Sequence, residues 1–481
     1  MGGHRVLIRR CESYDPERIA VIVSEGMTEL GFAPAGRILL KPNCVLAHPT
    51  YVPDACTRAE FLDGVLAACR IRGRGVERLT VGEKSGLAVP TRWSAANAGY
   101  PEVCARHGAR MCYFEETRQV PVQLTAEGRL RDMVYLPRPV VDADCLINLP
   151  KLKAHPWTKM TASLKNYIGL QDDRHRVLDH DGHLERKIAD LQEVVQSRFI
   201  AVDAVIAGEL MMICAEPRPL GAVIMGTNSC AVDTVCAHIL HLDPAEVVHL
   251  RLSSERGYGP CALDDIEIGG DYPPEEVRAR SAGFRILHRR IDEHFRDGPV
   301  TCTVGAFPEE EWRDYCWGGC PGVLQEVVHL CRRVFPGCED HMKKVRCVVG
   351  RVAGPLDLAP DERVLFLGDC TSWEGAIDGE PVAIESRHTS HRDLGHHGHQ
   401  SVDPLRGMLR FRRAARRAQG VRWHRLGGCP VSQAELHHYL ALLGGIPDVG
   451  EHSALLRGRS SHVYTDYLKM RTMRLLRHVV G

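Results

Sequence analysis

Along the first half of the chain, short continuous apolar runs alternate with segments whose apolar positions recur at helical spacing. HRVLIRR, GRILLKPN, RLTVGEKSG and DADCLINLP read as strands, several of them ending in polar loops. Between them, DPERIAVIVSEGMTELG and CTRAEFLDGVLAACRIRG read as amphipathic helices, and YPEVCARHGA as a shorter one. In the first helix Asp15 is the expected N-cap, Pro16 the first helical residue and Gly31 the stop. The rhythm continues through helix HLERKIADLQEVV, strand FIAVDAVIAG, the strand–turn–helix PLGAVIMGTNSCAVDTVCAHILHL and strand LDDIEIGG. Continuous apolar strands separated by helices predict an α/β fold, a mostly parallel sheet with helices on both faces.

The rhythm breaks near residues 272–300, at PPEEVRARSAGF and DEHFRDGP. The expected division is a first domain over residues 1–285 and a smaller, cysteine-bearing α/β domain over residues 300–481. In the second, CWGGCPGVLQEVVHLCRRVF and GGCPVSQAELHHYLALLGG each read as a Gly-rich turn entering a helix, and VRCVVGRV and RVLFLGDC read as strands. The His-rich stretch at 386–403, with His388, His391, His396, His397 and His399, reads as a loop. The arginine-rich stretch at 406–425 reads as a solvated helix face.

Composition narrows the function classes. A chain of 481 residues exceeds one ordinary core. Lys+Arg and Asp+Glu both number 61, so no overall field steers the chain to nucleic acid or to a membrane. The N-terminal MGGHRVLIRR is charged and has no apolar signal region, so the expected location is the cytoplasm. The 19 cysteines are odd in number and come with no secretion signal, which argues against a disulfide framework. Most are expected to be small buried hydrophobes, and a minority to be ligands.

Candidate chemistry collects where strands end, the place where open parallel sheets bind ligands. LLKPNC carries Lys41 and Asn43, and VGEKSG carries Glu83, Lys84 and Ser85. After CLINLP come Lys151, Lys153, His155, Lys165 and Asn166, and IMGTNSCAVD adds Thr227, Asn228, Ser229 and Asp233 around a helix start. Ammonium and amide donors of this kind bind carboxylate and phosphate. The expectation is a small anionic substrate contacted by Lys41, Asn43, Lys84, Lys151, Asn166, Asn228 and Asp233, with His155, Lys153 and Lys165 as the catalytic candidates. A solvated basic loop and a structural histidine are the plainer readings of the same residues. Residues 171–184, with Asp179, His180, Asp181 and His183, read as a polar, mobile lid.

In the second domain, Cys316, Cys320, Cys370 and Cys429 each sit in a Gly-containing turn at a strand end or before a helix. Such positions favour thiolate, and glycine lets backbone approach a bulky cluster. Four thiolates are the set a [4Fe–4S] cluster requires. Zinc competes for them, with His424 or the histidines of 388–399 as further ligands. Cys331 and Cys347 read as core, Cys302 is less suitable, and Cys338 is the reserve candidate.

The blocks LLKPNC, DADCLINLPKLKAHPWTKMTASLKNYIG, HLERKIADL, FIAVDAVIA and GTNSCAVDTVCAHIL, in this order and over roughly residues 36–270, resemble the DUF362 family. The resemblance implies an α/β domain often found with iron–sulfur ligation. Many members carry a C-terminal ferredoxin module with a Cys-x-x-Cys-x-x-Cys-x-x-x-Cys-Pro run, and this chain has no such run. The function expected from residues and resemblance together is an iron–sulfur oxidoreductase of reductase type, acting on a small anion and served by an electron-donor protein. The alternatives are an iron–sulfur Lewis-acid dehydratase or isomerase, and a non-catalytic metal-binding scaffold that docks a partner.

Overall fold

The apolar runs of the first half become strands of one sheet, because both faces of that sheet are covered and each strand must be apolar throughout. The computed structural model describes residues 4–180, 182–308, 315–387 and 421–480. Asp181, His388 to His399 and the arginine-rich stretch up to residue 420 lie outside the described residues.

The strands of the first unit are β1 (His4–Arg10), β2 (Gly36–Pro42), β3 (Val76–Glu83), β4 (Arg110–Tyr113), β5 (Gln119–Gln123), β6 (Met133–Pro137), β7 (Cys145–Leu149), β8 (Lys151–His155), β9 (Lys159–Thr161), β10 (Phe199–Glu209), β11 (Glu216–Gly226) and β12 (Ile266–Gly270). β5 and β6 pair as a separate hairpin. The others form a sheet ordered β12-β1-β11-β10-β7-β2-β3-β4, with β8 beside β10 and β9 beside β8. β10, β7, β2, β3 and β4 run parallel, whereas β11 is antiparallel to both β1 and β10. The fold class is therefore α/β with a mostly parallel sheet.

Helices make the parallel connections. The helix Pro16–Glu29 begins where Asp15 accepts from the backbone N–H groups of Glu17 and Arg18, and it buries Ile19, Ile22, Val23 and Met27. Helix Ala59–Arg72 crosses it at Gly64, where a Cβ would stand 2.6 Å from Ile19 Cγ2.

Two expectations are corrected here. The lysine-bearing stretch after CLINLP is not a loop: 151–161 is the hairpin of β8 and β9, followed by the short helix Ser163–Asn166. Pairing with β10 satisfies its backbone, and burial then falls on the lysine stems. The start of the expected lid is not mobile surface either: Gln171, Asp172 and Asp173 are buried, because Asp173 is held between two cations.

The chain divides into two compact units, Met1–His175 with Glu185–Leu287 and Arg457–Gly481, and Arg176–Leu184 with His288–Leu456. The last stretch thus departs from the expected 300–481 domain. Its Arg459 N–H donates to Asn97 Oδ1 at 2.7 Å and Arg474 donates to Asp173 Oδ2 at 3.0 Å, both within the first unit. The second unit holds β13 (Val300–Val304), β14 (Val345–Arg351), β15 (Arg363–Ile377), β16 (Glu380–Ile384) and β17 (Trp423–Leu426). Its sheet runs β13-β14-β15-β16 with β17 parallel to β15, around a core that includes Val348, Phe366 and Trp373.

Candidate functional site

Residues at the carboxyl ends of β2, β3 and β7 meet in a buried polar network. Lys41, at the end of β2, lies with its Nζ 2.9 and 3.0 Å from the two carboxylate oxygens of Glu83 at the end of β3. The same ammonium donates to Asn166 Oδ1 at 3.2 Å, an oxygen that also accepts from Asn43 Nδ2 at 3.2 Å. Asn166 Nδ2 donates to Asn148 Oδ1 at 2.7 Å, and Asn148 donates to Ser163 Oγ at 2.9 Å. Ser163 Oγ donates to Ser229 Oγ at 2.9 Å, which lies 2.8 Å from Tyr167 Oη. The chain reaches Ser229 because β10 begins level with the end of β7, so the antiparallel β11 delivers its last residue, Gly226, to the same height as Asn148.

Lys84, Lys151 and Lys153 are buried too. Lys84 pairs with Asp173 Oδ1 at 2.9 Å and donates to the carbonyls of Ser85 and Gly86, both at 2.9 Å. Burial pushes the Asp173 carboxyl up, but Lys84 and Arg474 outweigh it and hold the group below the usual range. Lys151 donates to Tyr14 Oη at 2.7 Å and to Asp203 Oδ2 at 3.1 Å. Burial, with Asp203 behind it, lifts the Tyr14 phenol well above its ordinary value. Lys153 Nζ donates to the carbonyls of Ala55 and Met212 at 2.5 and 2.9 Å. His155 is buried, and its Nδ1 accepts from the backbone of Trp157 and Thr158 at 3.3 and 3.2 Å, so it organises the β8–β9 turn. Lys165 is half-buried on the short helix.

Two candidates serve architecture. Asn228 caps the helix Ser229–Ile239, accepting from Ala231 N at 3.0 Å and donating to Tyr258 O at 2.8 Å. Asp233 accepts from the backbone N–H groups of Ser163 and Leu164 at 2.7 and 3.0 Å, which fixes the start of the helix carrying Lys165 and Asn166. Burial pushes its pKa up to about 7. Glu83 stands in the strand-end loop VGEKSG without an assigned role, and the partners Asp203, Asp173, Tyr14 and Asn148 were not assigned from sequence. One signal was available: an aspartate inside the apolar run FIAVDAVIAG requires a buried cation.

In the second unit, Cys320 opens the helix Cys320–Val334 and Cys370 lies in β15. Gly368, at φ +94°, leaves room for hydrogen alone: a Cβ there would stand 2.7 Å from Cys320 Sγ and 3.6 Å from Gly428 O. The three turns that carry the four cysteines therefore approach one another at Gly368. Cys316, Cys320 and Cys370 are buried and Cys429 is half-buried. Burial pushes the Cys370 thiol up to about 11. Among the described residues, no three His, Cys, Asp or Glu side chains are grouped to hold a metal ion. His424 stacks on Tyr439 with ring centroids 4.3 Å apart, and Cys331 and Cys347 are buried.

Residues 38–238 match the model of the family described as Domain of unknown function (DUF362). The Thylakoid-associated protein sll1697 of Synechocystis sp. is 25% identical over 272 residues, covering 54% of this chain and 81% of that protein. The lactate racemase apoprotein from Thermoanaerobacterium thermosaccharolyticum is similar at 11% identity and a TM-score of 0.32, over 49% of this chain. A protein from Thermotoga maritima is similar at 13% identity and a TM-score of 0.27, over 51% of this chain. This chain spans 57% and 60% of the length of those two solved chains. No described helix is long and apolar enough to cross a membrane.

Proposed function

Starting from the DUF362 domain that residues 38–238 carry, we propose that this chain is an enzyme acting on a small molecule with a carboxylate or phosphate group. The substrate binds beyond the carboxyl ends of β2 and β3 and along β8. The observation that carries this reading is the burial of four ammonium groups, those of Lys41, Lys84, Lys151 and Lys153, at or just after strand ends of one sheet. Burying an ion pair gains no more stability than apolar residues of the same volume, so fold stability alone does not account for several of them together. Buried charges with specific partners are a mark of functional sites. Asn43 Oδ1 adds a buried acceptor with no hydrogen-bond partner among the described residues, suited to a substrate hydroxyl or amide. In this reading Lys153 and Lys165 contact the anion, Lys41, Lys84, Lys151 and Asn166 set its field, and His155 handles a proton.

The test is calorimetric titration with inorganic phosphate and with succinate. Lys165→Ala, at a half-buried position of the short helix, is expected to weaken binding of one of these anions at least tenfold. Unchanged affinity for both in Lys165→Ala and in Lys153→Met overturns the site.

The oxidoreductase form of the reading adds a [4Fe–4S] cluster on Cys316, Cys320, Cys370 and Cys429. Its support is the convergence of the turns at Cys320, Gly368 and Gly428. When bound, such a cluster supplies single electrons, received here from a donor protein in the cytoplasm. Among the described residues the side chains are not grouped as a ligand set. Metal analysis of protein purified without oxygen decides: about four irons and four sulfides per chain support the cluster. Zinc without sulfide, or no metal, leaves the chemistry with the lysine site.

A further inference from the structure

The segment 43–57 carries two cysteines that the reading above does not use. It leaves β2 at Pro42 and feeds the helix Ala59–Arg72. It folds back on itself: Thr57 N donates to Asn43 O at 2.9 Å, Asn43 N to Thr57 Oγ1 at 2.9 Å, and Val52 N to His48 O at 3.0 Å. The Thr57 N to Asn43 O bond closes the neck of the segment, and Cys44 and Cys56 are the next residues inward from it. The two thiols are close enough to shift each other's ionisation. Cys44 Sγ also lies 3.3 Å from Ser94 Oγ, and Cys56 Sγ donates to Leu46 O at 3.4 Å. A disulfide joins residues whose Cα atoms lie about 4.4–6.8 Å apart, the range open to residues next to such a closure.

The segment is also tied to the buried network. Cys44 N donates to Glu83 Oε2 at 2.9 Å, and Ala55 O, beside Cys56, accepts from Lys153. We propose that Cys44 and Cys56 form a reversible dithiol/disulfide couple whose oxidation locks the neck of the 43–57 segment against the strand-end network. The proposal stands on this geometry and does not depend on the substrate reading.

The pair is chemically asymmetric. Burial opposes ionisation of Cys56, but the neighbouring Cys44 thiol and the Lys153 ammonium outweigh it and lower its pKa. The Cys56 thiol beside it, then burial, keep Cys44 protonated. With hydrogen peroxide as oxidant, the Cys56 thiolate attacks one peroxide oxygen, the O–O bond breaks, and the departing hydroxide takes a proton to become water. Cys44 then gives up its proton and attacks the sulfenic sulfur of Cys56. The S–S bond forms as the S–O bond breaks, and a second water leaves. The two sulfurs lose two electrons in total and the peroxide gains two.

Both cysteines fall in one tryptic peptide, residues 38–58, because the bond between Lys41 and Pro42 resists trypsin. The full chain is reduced, exposed to a peroxide series, denatured, alkylated and digested without reductant. The expected product is that peptide unalkylated and about 2 Da light, restored to double alkylation by a phosphine reductant. Amides of residues 45–55 are expected to exchange hydrogen more slowly in the oxidised chain. A peptide that stays doubly alkylated up to the peroxide level that unfolds the chain overturns the proposal, as does Cys56 sulfinic acid formed without the disulfide. Formation of the disulfide with unchanged exchange overturns the lock. In Cys44→Ser, Cys56 is expected to stop at the sulfenic acid, trapped by dimedone; an unalkylated, untrapped Cys56 in that variant counts against the pairing.

Discussion

Gly169 shows how a single hydrogen atom controls the buried charges. A Cβ there would stand 2.5 Å from Glu83 Oε1 and 2.7 Å from Lys41 Nζ. Gly169→Ala is therefore expected to push the ion pair apart. Breaking a buried pair costs about 3–5 kcal/mol, readable as a lower urea midpoint at unchanged slope. Asp233 makes a pH prediction at the same scale. Its carboxyl titrates at about 7 in the fold against an ordinary value of 3.8. The native state thus holds a proton that the unfolded chain has released. That contribution to stability is complete below the ordinary value and is lost as pH rises through about 7. The stability of the wild type relative to Asp233→Asn should fall between pH ~4 and ~7, measured by chemical denaturation. A flat difference would mean the carboxyl is ionised throughout.

Elements differ in how openly the sequence announces them. The helix Pro16–Glu29 carries its own start signal, and Asp15→Ala should cost about 0.5–2 kcal/mol in a denaturation curve, since two backbone N–H groups lose their acceptor. The β8–β9 hairpin is less legible. Lys151, Lys153 and His155 alternate with Leu152 and Ala154, the period of a strand, but lysine-rich stretches usually mean solvent. Only β10, with Asp203 and a free edge to pair, turns that alternation into a buried strand. The short helix Ser163–Asn166 is illegible for a similar reason: its start is held by Asp233, far along the chain.

For the whole molecule, the return of the chain end to the first unit is the feature with the clearest consequence. Arg474 donates to Asp173 Oδ2 at 3.0 Å and to Glu115 O at 3.2 Å. Removing it leaves Lys84 to hold Asp173 and lets burial raise the carboxyl. Arg474→Ala should lower the first unfolding transition in a calorimetric scan and leave the transition of the second unit in place. Loss of both together would show that the units unfold as one.

Strand and helix order, the mostly parallel sheet and the concentration of lysines and amides at strand ends were determined by the sequence itself. Apolar periodicity and charge spacing are local properties, and they survive being read one window at a time. The pairing of those lysines was decided only by the tertiary structure. Glu83, Asp173 and Asp203 reach Lys41, Lys84 and Lys151 from separate places in the chain, because strand order and stagger bring them to one height. A lysine in sequence carries only its charge; whether that charge meets solvent, substrate or carboxylate depends on which strand lies beside it.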